Sequence, residues 1–129
     1  MKGKEIKISL ILCTVNRKIE VIEFIESLIK QNYKNFELII VDQNLDNRIL
    51  KIVQQYNKLI NILHVKSVIG LSKARNIGLS HVSGNVVGFP DDDCTYPKNL
   101  LDNVASYFLN NASVDFLLGK TIDPLTNLI

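Results

Sequence analysis

Apolar and polar positions along this chain change period several times, and each change marks an element. Ile6-Lys7-Ile8-Ser9-Leu10-Ile11-Leu12-Cys13 begins in alternation and ends continuously apolar, which predicts a first, central strand. After the polar turn Thr14-Val15-Asn16-Arg17, residues Ile19, Ile22, Ile25, Leu28 and Ile29 recur at helical spacing. They predict a helix over 18–31 with one core-facing stripe. Phe36 to Val41 is almost wholly apolar, as expected of a parallel strand covered on both faces, and it ends at Asp42. The loop Gln43–Asp46 leads to a helix through Ile49, Ile52, Val53 and Tyr56, with Asp46 placed to cap it. A weaker third strand, Asn61 to Val65, contains His64, whose expected role is structural.

Gly70 opens the next turn, and Leu71 to Leu79 reads as a short helix packed through Leu71, Ala74 and Gly78. Small residues at that spacing allow close approach to a sheet. Asn85 to Phe89 is a fourth strand, stopped by Pro90, which has no N–H to give to a ladder. Pro97 fits the first position of a helix running to about Leu109, and Val114 to Leu118 predicts a fifth strand. Beyond Gly119 the chain trails off through Asp123-Pro124. Strands alternating with helices imply an α/β fold: a Rossmann-like three-layer sandwich around a mostly parallel sheet. Such sheets bind ligands beyond the carboxyl ends of their strands, where strand order reverses. Three of those ends carry polar groups here: Thr14 to Arg17, Asp42, and Asp91 to Asp93.

Length and composition narrow the field without naming a reaction. A chain of 129 residues predicts one domain over 1–129, and 47% hydrophobic residues supply a core without disulfide or metal staples. A net charge of +2 with scattered Lys and Arg predicts no nucleic-acid partner. No apolar run approaches the roughly 20 residues of a membrane span. The start, Met1-Lys2-Gly3-Lys4-Glu5, runs straight into a strand pattern instead of a signal-peptide core. Cys13 and Cys94 lack metal-ligand spacing and read as free thiols in a reducing cytoplasm, and the sequon Asn111-Ala112-Ser113 reads as chance.

The acidic run Asp91-Asp92-Asp93 carries the sharpest chemistry. Its bland alternative is a solvated turn, but it lies just past a buried strand. With an extended backbone, Asp91 and Asp93 would share one side and Asp92 would point away. Carboxylates that close need a compensating cation, and all-oxygen ligation suits Mg²⁺ or Mn²⁺. The turn after the first strand has no glycine, so a dinucleotide fingerprint is missing, and no Gly-rich loop ends in Lys-Ser or Lys-Thr.

These blocks resemble the inverting family 2 glycosyltransferases of the GT-A fold. Ser9 to Arg17 is similar to that family's first strand and Thr-x-Asn-Arg turn, and Glu37 to Asp42 to its second strand with a terminal aspartate. Gly70-Leu71-Ser72-Lys73-Ala74-Arg75-Asn76-Ile77-Gly78-Leu79 resembles its Gly-Leu-x-x-Ala-Arg-Asn-x-Gly signature, and Asp91-Asp92-Asp93 stands where it carries Asp-x-Asp. The likeness covers roughly residues 6–118. It implies transfer of a sugar from a nucleoside-diphosphate sugar, UDP-type, to an acceptor hydroxyl, assisted by Mn²⁺ or Mg²⁺, in bacterial-type polysaccharide or glycoprotein biosynthesis.

The resemblance also implies roles. Thr14 and Asp42 would contact the base, and Arg75 the base or the diphosphate. Asp91 would hold the ribose or the metal, and Asp93 the metal; Asp92 joins the nucleotide-sugar-binding set. Arg17 divides between ligand contact and ion pairing, and Asn16 between ligand contact and capping the helix that follows. Two departures matter. Gln43 stands where the family often has a second aspartate, and the chain is shorter than the family's usual length, so the fold is expected to be truncated. Only Asp115 and Asp123 follow the last helix as acidic candidates, so no general base is identified. The competing reading is an inactive GT-A-like binding or oligomerisation module. A half-domain of this fold would expose apolar surface and favour homo-oligomers.

Overall fold

The computed structural model describes residues 5–123 and 125–126. The basic start Met1–Lys4 and Pro124, read above from sequence, lie outside the described residues. Among the described residues four strands and four helices alternate: β1 (Ile8–Thr14), α1 (Ile19–Ile29), β2 (Phe36–Asp42), α2 (Arg48–Tyr56), β3 (Ile62–Lys66), α3 (Leu71–Leu79), β4 (Val86–Gly88) and α4 (Leu100–Asn110). All pairings are parallel and the strand order is β3-β2-β1-β4. The chain therefore steps outward from β1 to β3 and then returns to the other side of β1. The gap between the ends of β1 and β4 is the topological switch point.

Strand alternation sorts the core into two halves. Ile8, Leu10 and Leu12 of β1 and Leu38 and Ile40 of β2 face one side, packed with Phe24, Ile25, Ile52 and Leu101 from α1, α2 and α4. Ile11, Ile39 and Val41 face the other side and meet Ala74 of α3. Every residue of β2 is buried, as its apolar run predicts. On the thinner face α3 lies close to the sheet because Gly78 has no Cβ; one placed there would meet Ile11 Cγ2 at 2.4 Å.

Several expectations are corrected. The stripe of α1 keeps Ile25 and Leu28 buried and Ile22 and Ile29 partly buried against the core, gains Val21 and Phe24, and loses Ile19, 65% exposed, because the helix is rotated toward its Phe24 side, where that ring meets Tyr96 edge-on. Leu71 is exposed and only Ala74 and Gly78 of α3 are buried. Asp46 does not cap α2: Asn47 holds that position without a side-chain bond, and Asp46 forms a turn with the Arg48 N–H and guanidinium. Pro97 precedes α4 by a turn, its carbonyl accepting from Leu100 N–H. Residues 114–118 form no strand, since nothing among the described residues offers that segment a ladder, and Phe116 and Leu118 stand exposed.

Candidate functional site

The register Thr14↔Asp42 aligns the carboxyl ends of β1 and β2, and β4 delivers the acidic run beside Thr14. The Thr14 hydroxyl, 1% exposed, donates to Asp92 Oδ2 at 3.0 Å across the switch point. Arg17 closes the same corner. Its Nε lies 3.7 Å from Asp92 Oδ1, its Nη2 3.9 Å from Asp93 Oδ2, and its Nη1 3.6 Å from Glu20. These are loose, half-exposed pairs that orient the loop more than they stabilise it.

Asp92 and Asp93 form a turn instead of continuing the strand, yet the division expected from alternation still appears. Asp92 is turned to Thr14 and Arg17, while Asp91 and Asp93 are exposed and lie with Cys94 so that one ligand atom from each falls within 4.8 Å of the others. The two carboxylates suit a hard divalent cation. The Cys94 thiol suits it poorly: burial, then Asp93 beside it, hold it protonated, above the ordinary thiol range.

Arg75 projects from α3 over the Phe89 ring, 5.2 Å from its centroid. Among the described residues no carboxylate comes within 4.0 Å of its guanidinium. Cys13 sits near enough to feel both Arg75 and Asp92. Burial pushes its thiol up, Arg75 pulls it down and Asp92 raises it, with a net rise.

Asp42, expected to contact the base, ends β2 beside the β3 strand. It is fully buried, and its own chain fills it: Oδ1 accepts from the Asn44 backbone N–H (2.9 Å) and amide (2.8 Å), Oδ2 from His64 Nε2 (2.8 Å) and Lys66 Nζ (3.1 Å). Burial pushes the carboxyl up, but the Asn44, His64 and Lys66 hydrogen bonds outweigh it and hold Asp42 below the usual carboxylate range. Asn16 does not cap α1, whose N-cap is Lys18. It takes φ 60°, which asparagine tolerates, and its N–H donates to Asn44 Oδ1 at 2.7 Å. Gln43, at the position of the missing aspartate, turns inward and accepts the Gly70 N–H at 2.8 Å. Gly70 has φ 148°, a conformation open to glycine.

Two members of this cluster escaped the sequence reading. Lys66 received no role and His64 was expected to be structural only. The available signal was their i, i+2 spacing on β3, which puts both on one face beside the end of β2. Between the β2 and β3 loops, Gln43–Leu45 and Lys66–Ile69 enclose a cleft of about 580 Å³. A hollow of about 320 Å³ between α1 and residues 95–98 holds none of the groups above.

The sequence profile of glycosyl transferase family 2 matches residues 9–123. The chain belongs to glycosyl transferase family 2. As a family 2 chain it is 30% identical over 114 residues to the Escherichia coli UDP-Glc:alpha-D-GlcNAc-diphosphoundecaprenol beta-1,3-glucosyltransferase WfgD, covering 88% of this chain and 45% of WfgD. The crystal structure of S. aureus TarS 1–349 in complex with UDP-GlcNAc superposes with a TM-score of 0.74 at 29% identity, over 82% of this chain and 32% of that one. A mannosyltransferase from Pyrobaculum calidifontis shares the fold alone, with a TM-score of 0.73 at 20% identity, over 81% of this chain and 33% of that one. These neighbours are GT-A glycosyltransferases, and the four-stranded parallel sheet is the corresponding part of that fold. The chain spans 37% to 45% of the length of the first curated relatives it matches.

Proposed function

We propose that this chain is the donor-binding part of a glycosyltransferase that moves a sugar from a UDP-type nucleotide sugar to an acceptor hydroxyl with inversion. The carrying observation is the meeting of Thr14, Arg17 and Asp91 to Asp93 at the switch point, contributed by loops far apart in sequence. The WfgD donor named UDP-Glc and the TarS complex with UDP-GlcNAc support a uridine nucleotide.

Asp91 and Asp93 would hold Mg²⁺ or Mn²⁺, which when bound neutralises charge building on the departing nucleoside diphosphate. Arg75, free of carboxylate partners among the described residues, offers its guanidinium to the diphosphate. Thr14 fixes Asp92, and Arg17 holds the acidic turn against the end of β1. Asp115 and Asp123 are exposed in irregular segments, and no base that deprotonates the acceptor is assigned. Two free thiols fit a cytoplasmic setting.

A second reading has its own observation. Beyond β4 no strand pairs among the described residues, and Phe116 (74%), Leu118 (89%) and Ile122 (54%) are exposed. A binding module that self-associates through that strand edge or through those side chains would look the same. Calorimetric titration with UDP and Mn²⁺ separates the two. Metal-dependent binding that Asp93→Ala removes supports donor recognition. Absence of UDP binding, with a concentration-dependent mass in size exclusion, supports the module.

A further inference from the structure

All four acceptor directions of the Asp42 carboxylate are taken by donors of this chain. A base N–H reaching Asp42 must therefore replace one of them. Three are poor candidates: Asn44, which supplies two donors, is 5% exposed, and the His64 side chain is 16% exposed. The fourth is different. The Lys66 side chain is 53% exposed while its ammonium touches Asp42, whose own side chain is 0% exposed. Lys66 also donates to the carbonyls of Asn44 (2.6 Å) and Asp46 (3.4 Å), so its three N–H directions are spread over the loop 42–46. It lines the 580 Å³ cleft together with Gln43 and Asn44, the two residues that follow Asp42.

We propose that Lys66 is an internal stand-in for the nucleotide, occupying on Asp42 Oδ2 the position that the base N–H takes on binding. This rests on the proposed donor-binding function and on the base contact that the family resemblance implies for Asp42. Binding then exchanges one donor for another. The ammonium leaves Oδ2 and keeps its carbonyl contacts or water, which costs little because half the side chain is already wet, while His64 and Asn44 stay and hold the carboxylate in place. Asp42 keeps four donors throughout, so the buried carboxylate is never left short of a hydrogen bond. Lys66 is thus a specificity-setting residue: it makes the site pay for each N–H it accepts and lowers its preference for a base that can donate.

The test compares UDP with N3-methyl-UDP, which lacks the ring N–H, by calorimetry with Mn²⁺ on the full chain. The ratio of their affinities is the readout. Lys66→Met keeps the length of the stem and removes the ammonium, and the UDP preference is expected to rise about two- to five-fold, the range of a half-exposed ion pair. A merely structural role would weaken both ligands together and leave the ratio unchanged. An unchanged or lowered ratio overturns the proposal. Should Lys66→Met fail to fold, Lys66→Ala, which likewise leaves no side-chain donor for Asp42 Oδ2, is held to the same criterion. Wild-type protein that binds neither compound overturns the donor-site reading and this inference with it; wild type that binds UDP while the ratio stays fixed overturns the inference alone.

Discussion

Replacing Gly78 by alanine sets two effects against each other. In a helix interior alanine is favoured over glycine by roughly 1 kcal/mol, so propensity alone predicts stabilisation. The added Cβ, however, would stand 2.4 Å from Ile11 Cγ2, 3.3 Å from Ile11 Cγ1 and 3.2 Å from Val41 Cγ2. Ile11 is 1% exposed and Val41 is fully buried, both on a central strand, so neither side chain has room to turn away. Overpacking of this kind costs about 1–3 kcal/mol. An approach of 2.4 Å belongs in the upper part of that range, about 2–3 kcal/mol, so packing wins and Gly78→Ala should lose about 1–2 kcal/mol net, roughly 3–8 °C in Tm for a domain of this size. Denaturant melts of Gly78→Ala, Ile11→Ala and the double variant measure it. Deleting the Ile11 γ-carbons removes the nearest clash, so the glycine change should turn neutral or favourable in that background, with a coupling of about 1–3 kcal/mol. Because α3 also carries Arg75, the single variant should shift the guanidinium from Phe89. A raised Tm for Gly78→Ala in the otherwise unchanged chain would refute the close approach of α3 to the sheet.

Three further outcomes are expected. At the amino-terminal end of the strands Glu37 is buried beside Ser9, Ser83 and Lys7; burial pushes its carboxyl up, but the Ser9 and Ser83 hydrogen bonds and Lys7 outweigh this and hold it below the ordinary value of 4.5. Its contribution is therefore complete above about pH 4.5 and is lost as pH falls through the lower folded value, and Glu37→Gln should flatten that part of a stability-versus-pH curve; an unaltered curve would count against it. Thr14→Val keeps the shape of a buried side chain and removes the donor to Asp92, which should lower stability by about 1–2 kcal/mol in urea melts, an unchanged midpoint being the contrary result. Both thiols have raised pKa values, by burial foremost, so iodoacetamide should label Cys13 and Cys94 more slowly at pH 7 than it labels a free cysteine thiol, with rates climbing in alkali; labelling faster than the free thiol would contradict the environments described.

Much of this architecture was legible in the order of residues. Phe36 to Val41 could only be a strand buried on both faces, and Ile49, Ile52, Val53 and Tyr56 are all buried on the face their spacing marks. The placement of Thr14, Arg17 and the acidic run at one rim followed from strands that end in polar turns. The failures have local causes too. Val114 to Leu118 has a strand's composition, but a strand exists only when a neighbour accepts its hydrogen bonds, and composition says nothing of that. Asn16 and Asp46 have the chemistry of caps, yet each found a nearer use, one in a left-handed turn tied to Asn44, the other in a turn with Arg48.

Periodicity and punctuation act over a few residues, so the chain alone determined where β1 to β4 and α1 to α4 lie, to within a few residues, and which ends carry polar groups. The environment of Asp42 was decided elsewhere. Its carboxylate faces His64 and Lys66 because β2 and β3 pair with Ile40 opposite His64 and Asp42 opposite Lys66. A slip of one residue in that register would have sent both side chains to the other face of the sheet. Which charges meet depends on strand order and alignment between segments more than twenty residues apart, and those arise only when the whole core packs at once.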